Sequence, residues 1–176
     1  MSGAVLVTGA SGFAGSHLVD LLKTRGPVVG WTRADVDLLD RDAVFAAIDR
    51  LRPAQVYHCA GSPHVAESFR DVVTPLKENI LTSHHLLEAL GRTGTRPRVL
   101  IPGSATVYGH KNGLLSEGDP VRPASPYAVA KLAQEQLSLR AIAEDAVDVV
   151  LTRPFNHVGP RQQPDFAVAS FAEQIA

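Results

Sequence analysis

Thr8-Gly9-Ala10-Ser11-Gly12-Phe13-Ala14-Gly15 is the stretch on which the fold turns. It follows the apolar run 4–8 and opens a helical pattern over 12–25. Glycines at a strand-to-helix turn let backbone approach a pyrophosphate, and the free N–H groups of the helix start face it. The spacing is Gly-x-x-Gly-x-x-Gly rather than the commoner Gly-x-Gly-x-x-Gly. Outward from this turn the chain alternates. Short β-branched runs at 4–8, 28–31, 55–59, 99–102 and 148–152 read as strands. Helical patterns at 12–25, 41–50, 72–91 and 126–145 lie between them. Such alternation predicts right-handed crossovers and an α/β fold, a doubly wound parallel sheet with helices on both faces. The strands are apolar nearly throughout, as buried parallel strands are. The stretch 120–126 carries Pro120, Pro123 and Pro126 and reads as a loop entering a helix, with Pro126 suited to the first turn. A last helix begins near Asp165 and shows no stop signal by Ala176.

Composition narrows the classes. The 176 residues are 45% hydrophobic with a formal net charge of -1, enough for a core without disulfides and with no basic surface for nucleic acid. One cysteine, Cys59, excludes a disulfide framework and a cysteine-built metal site, and fits a reducing, cytoplasmic setting. No apolar run approaches the ~20 residues that span a bilayer. No basic stretch precedes the first apolar run, so neither a signal peptide nor a membrane partner is expected.

Two further stretches carry chemistry. In Tyr127-Ala128-Val129-Ala130-Lys131 the phenol and ammonium sit four apart on one helix face. A cation beside a phenol favours the phenolate and lowers its pKa from about 10, which suits proton exchange with a hydroxyl or carbonyl. Gly103-Ser104-Ala105-Thr106-Val107-Tyr108-Gly109 directly follows a buried strand. It therefore places Ser104 and Thr106 where open parallel sheets bind ligands. His17, His84 and His85 read as surface or packing residues, and His58 and Cys59 as the packed end of a strand; no metal site is expected.

In this order the three stretches resemble the short-chain dehydrogenase/reductase superfamily, in its extended branch of NAD-dependent epimerases and dehydratases acting on nucleotide sugars. The resemblance runs the length of the chain and implies a Rossmann-type domain over 1–152. It makes 153–176 the start of a substrate-binding region that is otherwise largely absent. It implies the catalytic residues Ser104, Tyr127 and Lys131. A nicotinamide cofactor would be held by Gly9, Ser11, Gly12, Phe13 and Gly15, by Asp37 and Leu38 at the adenine, and by Cys59, Ala60 and Gly61. Asn79, Tyr127, Lys131, Pro154 and Phe155 complete that set. His64, Glu67, Ser104, Thr106, Tyr127 and Asn156 would meet a nucleotide-sugar substrate. The helices at 72–91 and 126–145 correspond to those that pair two copies in this family, and both carry leucines at helical spacing.

Within the family, dehydratases place an Asp-Glu pair where this chain has Ala105 and Thr106, which argues against dehydration. The segment 104–109 is similar to epimerases of the UDP-glucose type. The longer stretches 153–160 and 171–176, with 67–71, are similar to reductases of GDP-4-keto-6-deoxy sugars, and the longer match is favoured. An NAD-selective site needs a carboxylate at the end of the second strand. Here Thr32 and Arg33 stand there, and the Arg33 fork suits a 2′-phosphate. NADP(H) is therefore favoured, with NAD(H) possible. A truncated cofactor-binding domain without turnover is the non-enzymatic alternative.

Overall fold

The computed structural model describes residues 3–145 and 147–175. The chain runs β1 (Val5–Thr8), α1 (Phe13–Lys23), β2 (Val28–Trp31), α2 (Arg41–Leu51), β3 (Gln55–His58), α3 (Val73–Leu76), α4 (Thr82–Arg92), β4 (Arg98–Pro102), α5 (Pro126–Glu144), β5 (Asp148–Thr152) and α6 (Ala167–Ile175). The five strands are all parallel, in the order β2-β1-β3-β4-β5. The chain winds one way from β1 to β2, then crosses back to β3. The crevice between the carboxyl ends of β1 and β3 is therefore the switch point where such sheets bind ligands.

Register decides the faces. Leu6, Val56 and Val99 pair along one face and join Ile101 in a core with Val44, Ile48, Leu86, Leu87 and Leu90, which come from α2 and α4. Val7, Gly30, Tyr57 and Leu100 pair along the other face, where α1 brings Val19 to within 3.6 Å of a Cβ placed on Gly30. The sheet is thus doubly wound. Burying the large apolar side chains of the first face, at about 1.5–3 kcal/mol each, is the main favourable term in folding.

Local chemistry sets the element ends. Asp40 accepts from the Ala43 N–H at 3.1 Å to start α2, and Arg52 ends it in the left-handed region at φ 44°. Ser125 accepts from the Ala128 N–H at 3.1 Å, with Pro126 in the first turn of α5.

The helix expected over 72–91 forms as one unbroken helical run over 73–92, but not with a uniform α repeat. Between α3 and α4 lies a π-helical turn, Lys77–Leu81. Side chains insert into its ladder: Thr82 Oγ1 donates to Glu78 O at 2.5 Å, Ser83 Oγ to Asn79 O at 2.7 Å, and Asn79 Nδ2 to Pro75 O at 3.0 Å. Such insertions widen a helical turn. The leucines expected on the surface of this segment are mostly core, with Leu86, Leu87 and Leu90 fully buried and Leu81 exposed. None of the described α6 residues is buried. No helix among the described residues is long and apolar enough to cross a membrane.

Candidate active site

Three adjoining clefts follow the carboxyl edge of the sheet. The first, about 240 Å³, opens at the switch point and is lined by Gly9, Ser11, Gly12, Arg33, Asp37, Leu38, Cys59, Ala60 and Gly61, together with Trp31, Glu78 and Thr82. Gly9 has φ +66°, and a Cβ there would lie 2.7 Å from Ala60 N, so the turn after β1 and the turn after β3 touch backbone to backbone. A Cβ on Gly15 would collide with Gly9 O, so α1 is drawn tight onto the same turn. Only glycine satisfies both contacts.

The second cleft, about 80 Å³, is lined by Cys59, Ala60, Gly61, Asn79, Tyr127 and Lys131 with His58 and Pro102. Asn79 is buried, its amide donating to Ser62 O at 3.1 Å and Pro75 O at 3.0 Å. Its Oδ1 has no hydrogen-bond partner, and a Cβ on Gly61 would fall against it. A buried acceptor without a donor costs about 1–3 kcal/mol.

The third cleft, about 770 Å³, is lined by Phe13, His64, Glu67, Ser104, Thr106, Tyr127, Pro154, Phe155 and Asn156, and by Arg70, His157, Asp165 and Phe166. Ser104 is extended at φ -163°, and its Oγ accepts from Thr106 N at 3.2 Å and Thr106 Oγ1 at 2.8 Å. Its lone pairs are thus used, and its own proton is directed to the Tyr127 oxygen. His64 Nδ1 lies 3.4 Å from the Asp165 carboxylate and its ring stacks on Phe166 at 5.2 Å. The loop before α6 therefore rests on the loop after β3.

Every expected site residue lines one of these clefts except Gly15, which acts through α1. Sequence reasoning missed Glu78, Arg70, Gln134 and Asp165. The Lys131–Gln134 spacing of three was a usable signal, since such residues share a helix face; Glu78 and Asp165 carried none.

The electrostatics depart from expectation at two residues. The phenol of Tyr127 is not acidified. Burial raises its pKa, and a hydrogen bond with Ser104 opposes this only in part. The reason is that the Lys131 ammonium turns away to Pro102 O at 2.7 Å and Gln134 Oε1 at 2.9 Å. Burial also pulls Lys131 down to about 8. Arg33 is not free either, since its Nη2 donates to Glu78 Oε1 at 2.7 Å. Asp35 turns back onto Thr32 N and Oγ1 at 2.8 and 2.7 Å.

His58 is fully enclosed between Thr8 and Ser83, and burial, with the Lys131 charge, pulls its pKa to about 3. The unfolded chain therefore binds a proton near pH 6.5 that the folded chain refuses down to about 3. Stability is complete above 6.5 and falls with pH below it. Between pH 7 and pH 5 this group is expected to remove about 2 kcal/mol. Urea unfolding at both pH values checks it, with His58→Gln expected to lose that much less than the parent chain.

The geometry can be set beside known proteins. The model of the family described as "NAD dependent epimerase/dehydratase family" matches residues 5–176. The chain belongs to this family. It is 37% identical over 186 residues to GDP-6-deoxy-D-mannose reductase of Pseudomonas aeruginosa, covering 100% of this chain and 59% of that protein. It superposes on the structure of RMD from Pseudomonas aeruginosa complexed with NADPH with a TM-score of 0.88 at 37% identity, over 98% of this chain and 61% of that one. It superposes on the UDP-glucose 4-epimerase of Thermus thermophilus in complex with NAD with a TM-score of 0.86 at 31% identity, over 97% of this chain and 60% of that one. The chain thus spans about three fifths of the length of the relatives it matches.

The residues present fit the family's nicotinamide cofactor. Gly9 and Gly12 present bare backbone to the switch-point cleft. Asn79 and Lys131 line one small cleft, where a ribose hydroxyl would give the lysine's remaining N–H an acceptor. Among the described residues no group of three or more His, Cys, Asp or Glu could hold a metal ion.

Proposed function

We propose that this chain is the cofactor-binding and catalytic part of an NADP(H)-dependent reductase that acts on the 4-keto group of a GDP-4-keto-6-deoxyhexose. The observation that carries the reading is the meeting of Ser104 and Tyr127 in the large cleft beside Pro154, Phe155 and Asn156, with Lys131 in the adjoining small one. When bound, the nicotinamide cofactor supplies the hydride. Gly9, Ser11, Gly12, Phe13 and Gly15 hold its pyrophosphate, Asp37, Leu38, Cys59, Ala60 and Gly61 its adenosine half, and Asn79, Lys131, Pro154 and Phe155 its nicotinamide half. Ser104 donates to the substrate's keto oxygen. Tyr127 gives that oxygen its proton. Burial that raises the phenol pKa keeps it protonated at neutral pH, which suits an acid in the reductive direction. His64, Glu67, Thr106 and Asn156 line the sugar side. The likeness to the Pseudomonas aeruginosa reductase over the full chain supports this choice of reaction.

The division of labour follows: 1–152 bind the cofactor and carry Tyr127 and Lys131, and 153–176 begin the substrate-binding region. We place the protein in the cytoplasm as a homodimer. Val129, Leu139 and Ile142 on α5 and Val73 and Leu81 on the neighbouring segment leave an exposed apolar surface that supports pairing of two copies. Native mass spectrometry of the protein with NADPH or NADH tests both points. An empty dimer that takes up NADPH supports the reductase. A dimer arriving with tightly held NAD supports the second reading, a UDP-glucose-type 4-epimerase, which the likeness to the Thermus thermophilus enzyme favours.

Arg33 decides the cofactor. Its contact with Glu78 is exposed, and such pairs are worth about 0–1 kcal/mol, whereas a hydrogen bond to a charged phosphate is worth about 1.5–3 kcal/mol. The guanidinium is therefore expected to leave Glu78 for a 2′-phosphate. Arg33→Ala is expected to weaken NADPH binding about 10- to 100-fold and NADH binding by less than about threefold. Fluorescence titration with both cofactors checks this, and equal weakening removes the assignment.

A further inference from the structure

Lys131 enters the site with its ammonium already directed. Of its three N–H donors, one goes to Pro102 O at 2.7 Å and one to Gln134 Oε1 at 2.9 Å, which leaves the third for the small cleft. Gln134 is fully buried and lies one helical turn on. Its Nε2 donates to Ser83 Oγ at 2.6 Å. Ser83 has a single proton, and it goes to Asn79 O at 2.7 Å. Ser83 must therefore accept from both Gln134 and His58 Nε2, the latter at 2.9 Å. His58 then carries its proton on Nε2, and Nδ1 accepts from Thr8 Oγ1 at 2.8 Å. Only this direction of donation satisfies every member.

The consequence concerns the Gln134 amide. Its nitrogen is needed by Ser83, so its oxygen has to face Lys131. Turned over, it would set two N–H donors against an ammonium and leave Ser83 facing a carbonyl with no proton to give. We propose that Gln134 is a positioning residue, its amide oxygen locked toward Lys131 by the buried Ser83–His58–Thr8 chain, so that the lysine's remaining donor is aimed into the cofactor cleft. The role assigned to that donor rests on the cofactor reading above; the locking does not.

The other groups around Lys131 do not substitute for Gln134. The Cys59 thiol at the end of β3 is pushed up to about 11 by burial and is uncharged at neutral pH. The Glu135 carboxylate beside it on α5 raises the lysine pKa through space, but its hydrogen bonds go to Arg153 at 2.8–3.2 Å. His58 is neutral, and the Tyr127 phenol is held protonated by burial. The neutral oxygens of Gln134 and Pro102 are left to make the direct hydrogen bonds to the ammonium.

The test is direct because the chain has four lysines, Lys23, Lys77, Lys111 and Lys131. With ¹³C-labelled lysine, the Lys131 signal is identified by its loss in Lys131→Arg and titrated by NMR in the free protein. The parent midpoint is expected near 8. Gln134→Leu, which removes the acceptor, is expected to lower it by about one pH unit, and Gln134→Glu to raise it by at least about one. Ser83→Ala leaves Gln134 in place but frees its amide to turn, and is expected to lower the midpoint in the same direction. Circular dichroism confirms that each variant is folded. Should Gln134→Leu not fold, the other two variants still decide. Midpoints unmoved in the folded variants overturn the proposal, as a merely structural glutamine would leave them. NADPH titration of the parent protein separates the two readings: failure to bind NADPH or NADH removes the cofactor role and leaves the lysine midpoints to judge the locking.

Discussion

With phenylalanine at Tyr127, reduction of the keto sugar is expected to slow about 10²- to 10⁴-fold in kcat, the usual contribution of a positioned general acid. NADPH affinity is expected to stay within about twofold, since the phenol is one of many contacts to the cofactor. The structure makes the substitution clean. The ring is packed at the start of α5, with 8% exposure, where Ser125 caps the helix and Pro126 sets its first turn. Phenylalanine fills the same space, so the change removes one hydroxyl and its hydrogen bond with Ser104. Steady-state kinetics with NADPH and a GDP-4-keto-6-deoxyhexose, beside cofactor titration, check the split. Turnover equal to that of the parent protein would sink the assigned mechanism. A parallel loss of NADPH binding would instead make Tyr127 a cofactor ligand first.

The largest expected loss of stability lies beside the site. Arg153 donates from Nε and Nη2 to the Glu135 carboxylate at 2.8–3.2 Å, and from Nη1 to the Tyr108 hydroxyl at 2.7 Å. The Glu135 side chain is only 4% exposed, and Gly103 abuts it so closely that a Cβ there would lie 2.8 Å from Oε1. These bonds raise the Arg153 pKa further above its already high ordinary value. Removing one partner of such a pair costs about 3–5 kcal/mol, because the other charge is left without compensation. Arg153 is 28% exposed, so water softens the penalty toward the low end. Glu135→Ala is therefore expected to cost about 3 kcal/mol, or roughly 6–12 °C in Tm for a chain of this size. Glu135→Leu combined with Arg153→Met is expected to regain part of it. Urea and thermal unfolding of the variants measure this; a loss below about 1 kcal/mol for Glu135→Ala would mean that the pair is dispensable. Because Arg153 leads directly into Pro154, Phe155 and Asn156, the same variant is expected to loosen that wall of the large cleft.

The glycine turn and the apolar strands were legible in sequence because their constraints are local. Gly9 must take a positive φ, and a buried parallel strand must be apolar along its length. The spacing of Tyr127 and Lys131 was legible for the same reason, since four residues make about one turn of helix. What those two side chains do to each other was not. The expected acidified phenol gave way to one raised by burial, because Lys131 bonds Gln134 on its own helix face and Pro102 O, whose proximity no spacing rule reports. The helix over 72–91 formed, but it widens to a π turn at Lys77–Leu81, where Thr82, Ser83 and Asn79 bond back to the helix, side chains that a periodicity of apolar residues does not register. Arg33 lines the switch-point cleft, and its partner Glu78 lies 45 residues away.

The sequence by itself therefore determined the winding of the sheet and the glycine turn at its switch point, each from backbone conformation, strand burial or helical repeat within one element. The expected cleft residues came mostly from the family resemblance, and Arg70, Glu78 and Asp165 joined them only in the fold. Only the tertiary structure decided the charge states and aims of those residues: a lysine pulled down to about 8, a histidine to about 3, a glutamine turned oxygen-first toward the ammonium. Ionisation and hydrogen-bond direction depend on burial and on partners from other elements, and those are assembled only when Thr8, His58, Ser83 and Gln134 close into one buried chain.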